Sequence, residues 1–155
     1  MSFTRDLCDH YAQGLDNMCG ACCAAMLYHC VRNAPISRPP EASPGAVVAR
    51  LGNRFNEKNG TNLLFLYDVL KEFGIQAILT NDGSLFLGST SETLPGIVRM
   101  TETFHGRGHF VVVFGHAPRK GFAKVFDPWN PTRSELLASE IMESVSKGDG
   151  LIALG

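Results

Sequence analysis

The sequence has 155 residues, of which 45% are hydrophobic and 19% are charged, so its composition is that of a folded globular protein rather than a disordered chain. A chain of this length is typical of one domain, and we predict a single domain over residues 1–155. The 14 basic and 15 acidic residues leave a formal net charge of −1. This balance argues against nucleic acid as a partner, because phosphate binding depends on clustered Lys and Arg.

No apolar stretch approaches the roughly 20 residues that a helix needs to span a bilayer, so we expect no membrane association. The first residues also lack the apolar core of a secretory signal peptide. We therefore expect a cytoplasmic protein, or one that is secreted without a classical signal peptide. Nothing in the sequence predicts the oligomeric state.

The cysteines are clustered near the start of the sequence. They are Cys8, Cys19, Cys22, Cys23 and Cys30. A disulfide scaffold would spread its cysteines along the chain to close long loops. An odd number of clustered cysteines instead favours a reducing compartment, in which most of these thiols pack as small hydrophobes.

The first predicted helix covers residues 18–32, after an irregular stretch over residues 1–18. Its apolar positions recur at helical spacing within a stripe about 100° wide, which is the usual core-facing stripe of a helix. The stripe contains Cys19, Cys22, Cys23, Met26 and Cys30. Asp16 or Asn17 is placed to cap the start of this helix.

Prolines and a glycine make residues 33–45 a predicted loop, and a short helix follows over about residues 46–55. Asn62 is placed to cap another helix over residues 63–73, and Gly74 is its predicted stop. The N-terminal half is therefore predicted to be helical.

The rest of the chain is predicted to be mostly strand, with one helix over about residues 134–146. The predicted strands cover residues 75–80, 85–87, 97–101, 109–115, 122–126 and 151–154. Helices followed by an antiparallel sheet indicate the α+β class.

Cys19 is the candidate nucleophile because it opens the first predicted helix. A thiol at this position lies near unpaired backbone N–H groups and the positive end of the helix dipole, which both favour the reactive thiolate. We expect Gly20 to leave room for a substrate beside the sulfur. The remaining cysteines of the helix are interpreted as buried structural thiols.

His109 is the candidate base, because it begins a hydrophobic strand and the next strand leads into Asp127. In a hairpin symmetric about Pro118, position i faces position 236 − i, and His109 faces Asp127. Directly opposed residues have Cβ atoms about 4.5–5.5 Å apart, which suits an imidazole–carboxylate hydrogen bond. A one-residue slip would put the two side chains on opposite faces. His105 could also reach the site, but it has no obvious carboxylate partner.

Gln13 is the candidate oxyanion donor. It lies six residues before Cys19, so its side-chain amide and the backbone N–H of Cys19 would form a two-donor hole. The alternative interpretation is an exposed loop glutamine.

Three segments resemble the papain-like cysteine peptidases, in particular the bacterial branch that includes the bacteriocin-processing, double-glycine leader peptidases. They are Gln13 with the run CGACCAAML from Cys19, GHFVVV from Gly108, and FDPW from Phe126. The resemblance implies a papain-like α+β fold, in which an N-terminal helical half carries the nucleophile helix and packs it against a C-terminal antiparallel sheet. This sequence departs from the family's pattern at Met18, immediately before the candidate nucleophile, where the family often has Asp.

The resemblance also implies a cysteine peptidase that cleaves a peptide bond. It assigns Cys19 as nucleophile, His109 as general base, Asp127 as the residue that orients the histidine, and Gln13 as oxyanion donor. The implied partner is a protein or peptide substrate, and no cofactor is implied. Papain-like deamidases and acyltransferases that act as bacterial effectors or toxins share the triad and are the alternative function.

Other classes of protein remain open from the residues alone. Cys19 and Cys22 form a C-x-x-C, which also occurs in redox proteins but there follows a strand. A zinc site could combine these two residues with Cys8 and His10, although no second C-x-x-C exists. If the protein is a non-catalytic binding module, we expect no thiol reagent to react preferentially with Cys19.

Overall fold

A six-stranded sheet, in which all described strand pairs are antiparallel, is the centre of the fold. The computed structural model describes residues 18–32, 43–56, 61–87, 94–100, 109–128, 134–148 and 150–154. The strands are β1 (Ala77–Thr80), β2 (Gly96–Met100), β3 (His109–His116), β4 (Phe122–Phe126), β5 (Glu135–Leu137) and β6 (Gly150–Ala153), and they lie in the order β1-β6-β2-β3-β4-β5. This architecture confirms the predicted α+β class.

Helices cover both faces of the sheet. They are α1 (Cys19–Arg32), α2 (Pro44–Leu51), α3 (Leu63–Glu72), α4 (Ser84–Leu87) and α5 (Ala138–Ser146), with a short 3₁₀ turn (Gly52–Arg54) after α2. The longest of them, α1, has 14 residues. Within the described ranges, no helix is long and apolar enough to cross a bilayer.

The sheet separates two apolar clusters. The first combines residues of α1, α2 and α3 with sheet residues such as Phe110 and Val112. The second combines residues of α4 and α5 with sheet residues such as Val111 and Val113. Because successive residues of a strand point to opposite faces, these four positions bury β3 on both sides. The start of β3 is thereby fixed between two packed layers.

Helix α1 is buried along nearly its whole circumference. Every residue from 19 to 30 is buried, and α1 packs between α2, α3 and strand β3. The predicted core-facing stripe is buried, but the other faces of α1 are buried as well, because a helix with apolar residues on all sides belongs inside a structure. Its small residues, such as Ala24 and Ala25, allow this close packing.

Local capping signals gave accurate helix boundaries in α3. The Asn62 side chain accepts a hydrogen bond of 2.9 Å from the Phe65 N–H, and Gly74 takes a positive φ of 84° just after the helix. Both features match the prediction. Helix α2 begins earlier than predicted, at Pro44, because the Ser43 hydroxyl caps it and proline is well suited to a first helical position.

Two predicted elements were wrong. Residues 85–87 lie in helix α4 rather than in a strand, because the Asp82 carboxylate accepts hydrogen bonds from the N–H and hydroxyl of Ser84 and starts a helical turn. The predicted helix over residues 134–146 begins later, at Ala138. Its first part is strand β5, which pairs with β4.

Candidate active site

His109 and Asp127 lie at the same end of the sheet, because His109 is the first residue of β3 and Asp127 directly follows β4. The His109 Nε2–H donates a hydrogen bond of 2.5 Å to Asp127 Oδ1. Both side chains are buried, with 6% of His109 and none of Asp127 exposed. The predicted contact between these two residues is present.

The predicted strand register was nevertheless wrong. The observed pairs, Val112 with Phe126 and Val113 with Val125, place Asp127 beside Val111 rather than opposite His109. This is a shift of two residues from the symmetric hairpin, and a two-residue shift leaves each side chain on its predicted face. His109 and Asp127 therefore meet along a diagonal, a separation that long side chains can span.

Cys19 is the first residue of α1 and lies beside His109, whose ring it hydrogen-bonds through its side chain. Because the Nε2 atom of His109 is used by Asp127, the ring nitrogen left for Cys19 is Nδ1. Cys19 retains 9% of its surface. The three side chains thus form a chain from sulfur to imidazole to carboxylate.

Gly20 has a different role from the predicted one. A Cβ atom at this position would lie 3.2 Å from Leu66 Cδ1, 3.2 Å from Thr61 Cγ2 and 3.3 Å from Phe110 Cδ2. The missing side chain therefore makes room for residues of the protein, not for a substrate. It lets the first turn of α1 approach β3 next to His109, and so places Cys19 at the imidazole.

The surroundings of His109 favour its protonated form. Burial lowers the pKa of His109, but hydrogen bonds to Asp127 and Cys19 and the negative charges of both partners outweigh burial and raise the pKa to about 9. An imidazolium beside a sulfur stabilises the thiolate, which is the nucleophilic form of cysteine. The geometry therefore places a cation beside the candidate nucleophile.

Two other cysteines of α1, Cys22 and Cys30, are held in the protonated form. Burial raises the pKa of both the Cys22 and the Cys30 thiols to about 12, and the charge of Cys19 adds to the effect at Cys22. They are fully protonated at neutral pH. Cys19, Cys22 and Cys30 are free thiols. This contrast agrees with the interpretation of Cys22 and Cys30 as structural residues.

Several residues named from the sequence lie outside the described residues. Gln13 is one of them, so its part as oxyanion donor remains a prediction. The same is true of Cys8, His10 and His105. Among the residues that are described, no group of three or more His, Cys, Asp or Glu side chains could hold a metal ion.

Sequence reasoning overlooked two features of the site. One is the packing of Gly20 against Phe110, which no local pattern reveals because the two residues are far apart in sequence. The other is an irregularity in β3 between Val113 and His116. Its signal was visible as Gly115 within an apolar strand, since an isolated glycine in a strand often marks a bulge.

The fold is similar to those of solved peptidase domains. The peptidase domain of Streptococcus ComA, a bifunctional ABC transporter involved in a quorum-sensing pathway, matches with a TM-score of 0.62 and 20% identity, over 92% of this chain and 94% of that one. A double-glycine-motif protease from an AMS/PCAT transporter, in complex with the leader peptide, matches with a TM-score of 0.58 and 20% identity, over 92% and 87% of the two chains.

A candidate C39-like peptidase from Bacillus anthracis also matches, with a TM-score of 0.63 and 14% identity, over 91% of this chain and 90% of that one. No protein-family model and no curated protein matches the sequence. The structural likeness is therefore a likeness of fold, and fold alone does not assign a reaction. The chain has the papain-like α+β fold of the double-glycine peptidase domains.

Proposed function

We propose that the protein is a cysteine peptidase that cleaves a peptide bond through Cys19, His109 and Asp127. The observation that carries this proposal is the chain of contacts from the Cys19 side chain through the His109 ring to the buried Asp127 carboxylate. Three such groups in this order are the requirements of thiol-based acyl transfer. The shared fold with peptidase domains supports the same reaction class.

In the first half of the reaction, the Cys19 thiolate attacks the carbonyl carbon of the scissile peptide bond and forms a tetrahedral oxyanion. The His109 imidazolium then gives its Nδ1 proton to the leaving amine, so the C–N bond breaks and a thioester remains on Cys19. In the second half, His109 takes a proton from water, which attacks the thioester. The carboxylic acid product leaves, and the Cys19 thiolate and His109 imidazolium are restored.

Asp127 acts on His109 rather than on the substrate. By accepting the Nε2–H bond it holds the ring with Nδ1 directed to Cys19, and its charge stabilises the imidazolium. The oxyanion is assigned to the backbone N–H of Cys19 at the start of α1 and to the side-chain amide of Gln13, on the basis of sequence spacing. These steps require no cofactor.

A peptide or protein is the proposed substrate. One structural neighbour was solved with a leader peptide, which supports a peptide substrate for a domain of this fold. Deamidases and acyltransferases use the same thiol chemistry. The products of the reaction therefore have to be identified to distinguish a peptidase from these enzymes.

The test is incubation of the full chain with a library of proteome-derived peptides, followed by mass spectrometry of the products. We expect new peptide termini, and the masses of the two products of each cleavage should sum to the mass of the substrate plus one water. Cys19→Ala should give none, whereas Cys30→Ala, a matched change of a buried cysteine on the same helix, should cleave like the wild type. A gain of about 1 Da per glutamine without cleavage would indicate deamidation and overturn the proposal.

A further inference from the structure

Strand β3 contains a bulge between the candidate catalytic pair and the hairpin turn. Two of its residues, Phe114 and Gly115, lie opposite one residue of β4, Lys124. The pairs that flank the bulge are Val113 with Val125 and His116 with Ala123. Gly115 has a φ of 103°, a conformation that favours glycine because it carries no Cβ atom. Bulges of this kind re-aim side chains and are frequent next to active sites.

The bulge decides which residue of β3 lies opposite Asp127, and so whether Asp127 shares a face of the sheet with His109. If the register at the turn, His116 with Ala123, continued without a bulge, Asp127 would lie opposite Val112. Val112 lies three residues from His109 along β3, out of phase with it in the alternation of the strand, whereas Val111 lies two residues from His109 and in phase with it. The extra residue in β3 changes the register by one, and Asp127 then shares a face with His109.

Both ends of the hairpin are fixed by other contacts. At the turn, the His116 ring contacts the Leu87 carbonyl oxygen at 2.9 Å, and the Ala117 N–H donates to the Phe122 carbonyl at the same distance. At the site, β2 holds β3, with Met100 paired to His109. The two ends require registers that differ by one residue, and the bulge is the place where they are reconciled.

We propose that Gly115 is a positioning residue, whose positive φ maintains the bulge that sets His109 on the same face as Asp127. Its effect on catalysis rests on the proposed peptidase function, but its effect on the His109–Asp127 contact does not. Gly115 acts at a distance: it lies within β3, six residues after His109.

The test compares Gly115→Ala with Gly121→Ala in the full chain. Gly121 is the matched control, because it also has a positive φ, 84°, in the same hairpin, and a Cβ there meets no atom within 4 Å. The first readout is an NMR titration of the His109 ring. We expect its pKa to fall from about 9 toward the ordinary value of 6.5 in Gly115→Ala and to stay raised in Gly121→Ala.

The second readout is steady-state kinetics on a peptide that the wild type cleaves. We expect kcat of Gly115→Ala to fall by about 10²-fold, the cost of a misplacement of about 1 Å in an active site, while KM changes by less than about twofold. Gly121→Ala should keep the kcat of the wild type. A loss of kcat without any change in the His109 titration would overturn the proposal.

Deletion of Gly115 is the second variant, in case alanine prevents folding. The deletion removes the extra residue of β3, so Phe114 can pair with Lys124 and the pairs at the turn and at the site become compatible in a regular hairpin. The proposal therefore predicts that a folded deletion variant keeps the raised His109 pKa, and a deletion variant with the ordinary pKa would overturn it, since reconciling the two registers would then not maintain the contact. The titration needs no turnover, so it also gives a result if the protein cleaves no peptide.

Discussion

The His109 imidazole and the Asp127 carboxylate are hydrogen-bonded at 2.5 Å although the strand register pairs neither residue with the other. Asp127 lies just beyond the end of β4 and reaches His109 diagonally, on the face that both share. Neither group is exposed enough for water to replace the other as a partner. The contact therefore fixes the ring, and the remaining nitrogen faces Cys19.

Asp127→Asn tests the part of this carboxylate. We expect kcat to fall by about 10⁴-fold, because an amide can donate to the ring and stabilise the wrong tautomer of His109. The fold should be retained, since the two side chains have nearly the same shape. Circular dichroism and steady-state kinetics provide the measurements.

Glu143→Gln is the matched control, since it makes the same carboxylate-to-amide change on an exposed side chain of α5. It should leave kcat unchanged. Full activity in a correctly folded Asp127→Asn protein would rule out the proposed role of Asp127.

The raised pKa of His109 also predicts how stability depends on pH. The value of about 9 in the folded protein exceeds the ordinary value of 6.5, so protonation of His109 favours the folded state. This contribution is fully present below about pH 6.5 and is lost as the pH rises through about 9. Urea unfolding of the wild type and of Asp127→Asn at about pH 6 and about pH 9.5 measures it.

The wild type should lose more unfolding free energy between these two pH values than Asp127→Asn, in which the carboxylate that raises the pKa is gone. The difference between the two proteins cancels the other groups that titrate in this range. An equal loss in both would mean that Asp127 does not raise the pKa of His109.

Gly20→Ala tests the close packing of α1 on β3. Its methyl group would press on side chains of Leu66, Thr61 and Phe110 at 3.2–3.3 Å. We expect the free energy of unfolding to fall by about 1–3 kcal/mol, the usual cost of overpacking, and kcat to fall because Cys19 moves relative to His109. Urea unfolding and kinetics measure the two effects.

Gly45→Ala serves as the control for Gly20→Ala. Gly45 also lies in the first turn of a helix, α2, but a Cβ there meets no atom within 4 Å. This change should leave kcat unchanged and stabilise the protein by up to about 1 kcal/mol through helix propensity. Similar effects of the two alanines would show that the packing of Gly20 does not position Cys19.

Gln13→Ala tests the predicted oxyanion donor. We expect kcat to fall by about 10²–10³-fold with little change in KM, which is the usual effect of losing one donor that acts only in the transition state. Gln76→Ala, a change of an exposed glutamine next to β1, should have no effect. A change confined to KM would instead identify Gln13 as a residue that binds the substrate.

Local signals in the sequence were sufficient for much of the fold. The Asn62 cap and Gly74 defined α3, and the bounds predicted for β3 and β4 agree with the structure within one residue, because alternation and turn residues act over short distances. The prediction of a strand over residues 85–87 was wrong because a three-residue apolar run fits a strand or a helical turn equally well. Strand β5 was not predicted because its pairing with β4 is a non-local contact.

The predicted contact between His109 and Asp127 does not depend on the exact strand register, as long as the register is wrong by an even number of residues. The symmetric hairpin gave the wrong partner for Asp127, but by an even number of residues, so the face was right. The burial of α1 on all sides could not be predicted, because it depends on helices and strands that lie far from it in sequence.

The proposed catalysis requires that Cys19 be the one reactive thiol of α1, and selective alkylation measures this directly. Brief treatment of the native protein with iodoacetamide at about pH 6, followed by peptide mass mapping, compares the described cysteines, because only a thiolate reacts quickly. Cys22 and Cys30, with pKa values raised to about 12, should stay unlabelled. Cys19, next to the His109 imidazolium, should be labelled first.

His109→Ala should abolish the preference for Cys19 by removing the neighbouring cation, and Lys120→Ala, which removes a cation from the exposed turn of the same hairpin, should preserve it. We expect Cys19 to be labelled far ahead of the other cysteines, and this preference to be lost only in His109→Ala. Equal labelling of all cysteines, or labelling of Cys22 before Cys19, would rule out Cys19 as the nucleophile.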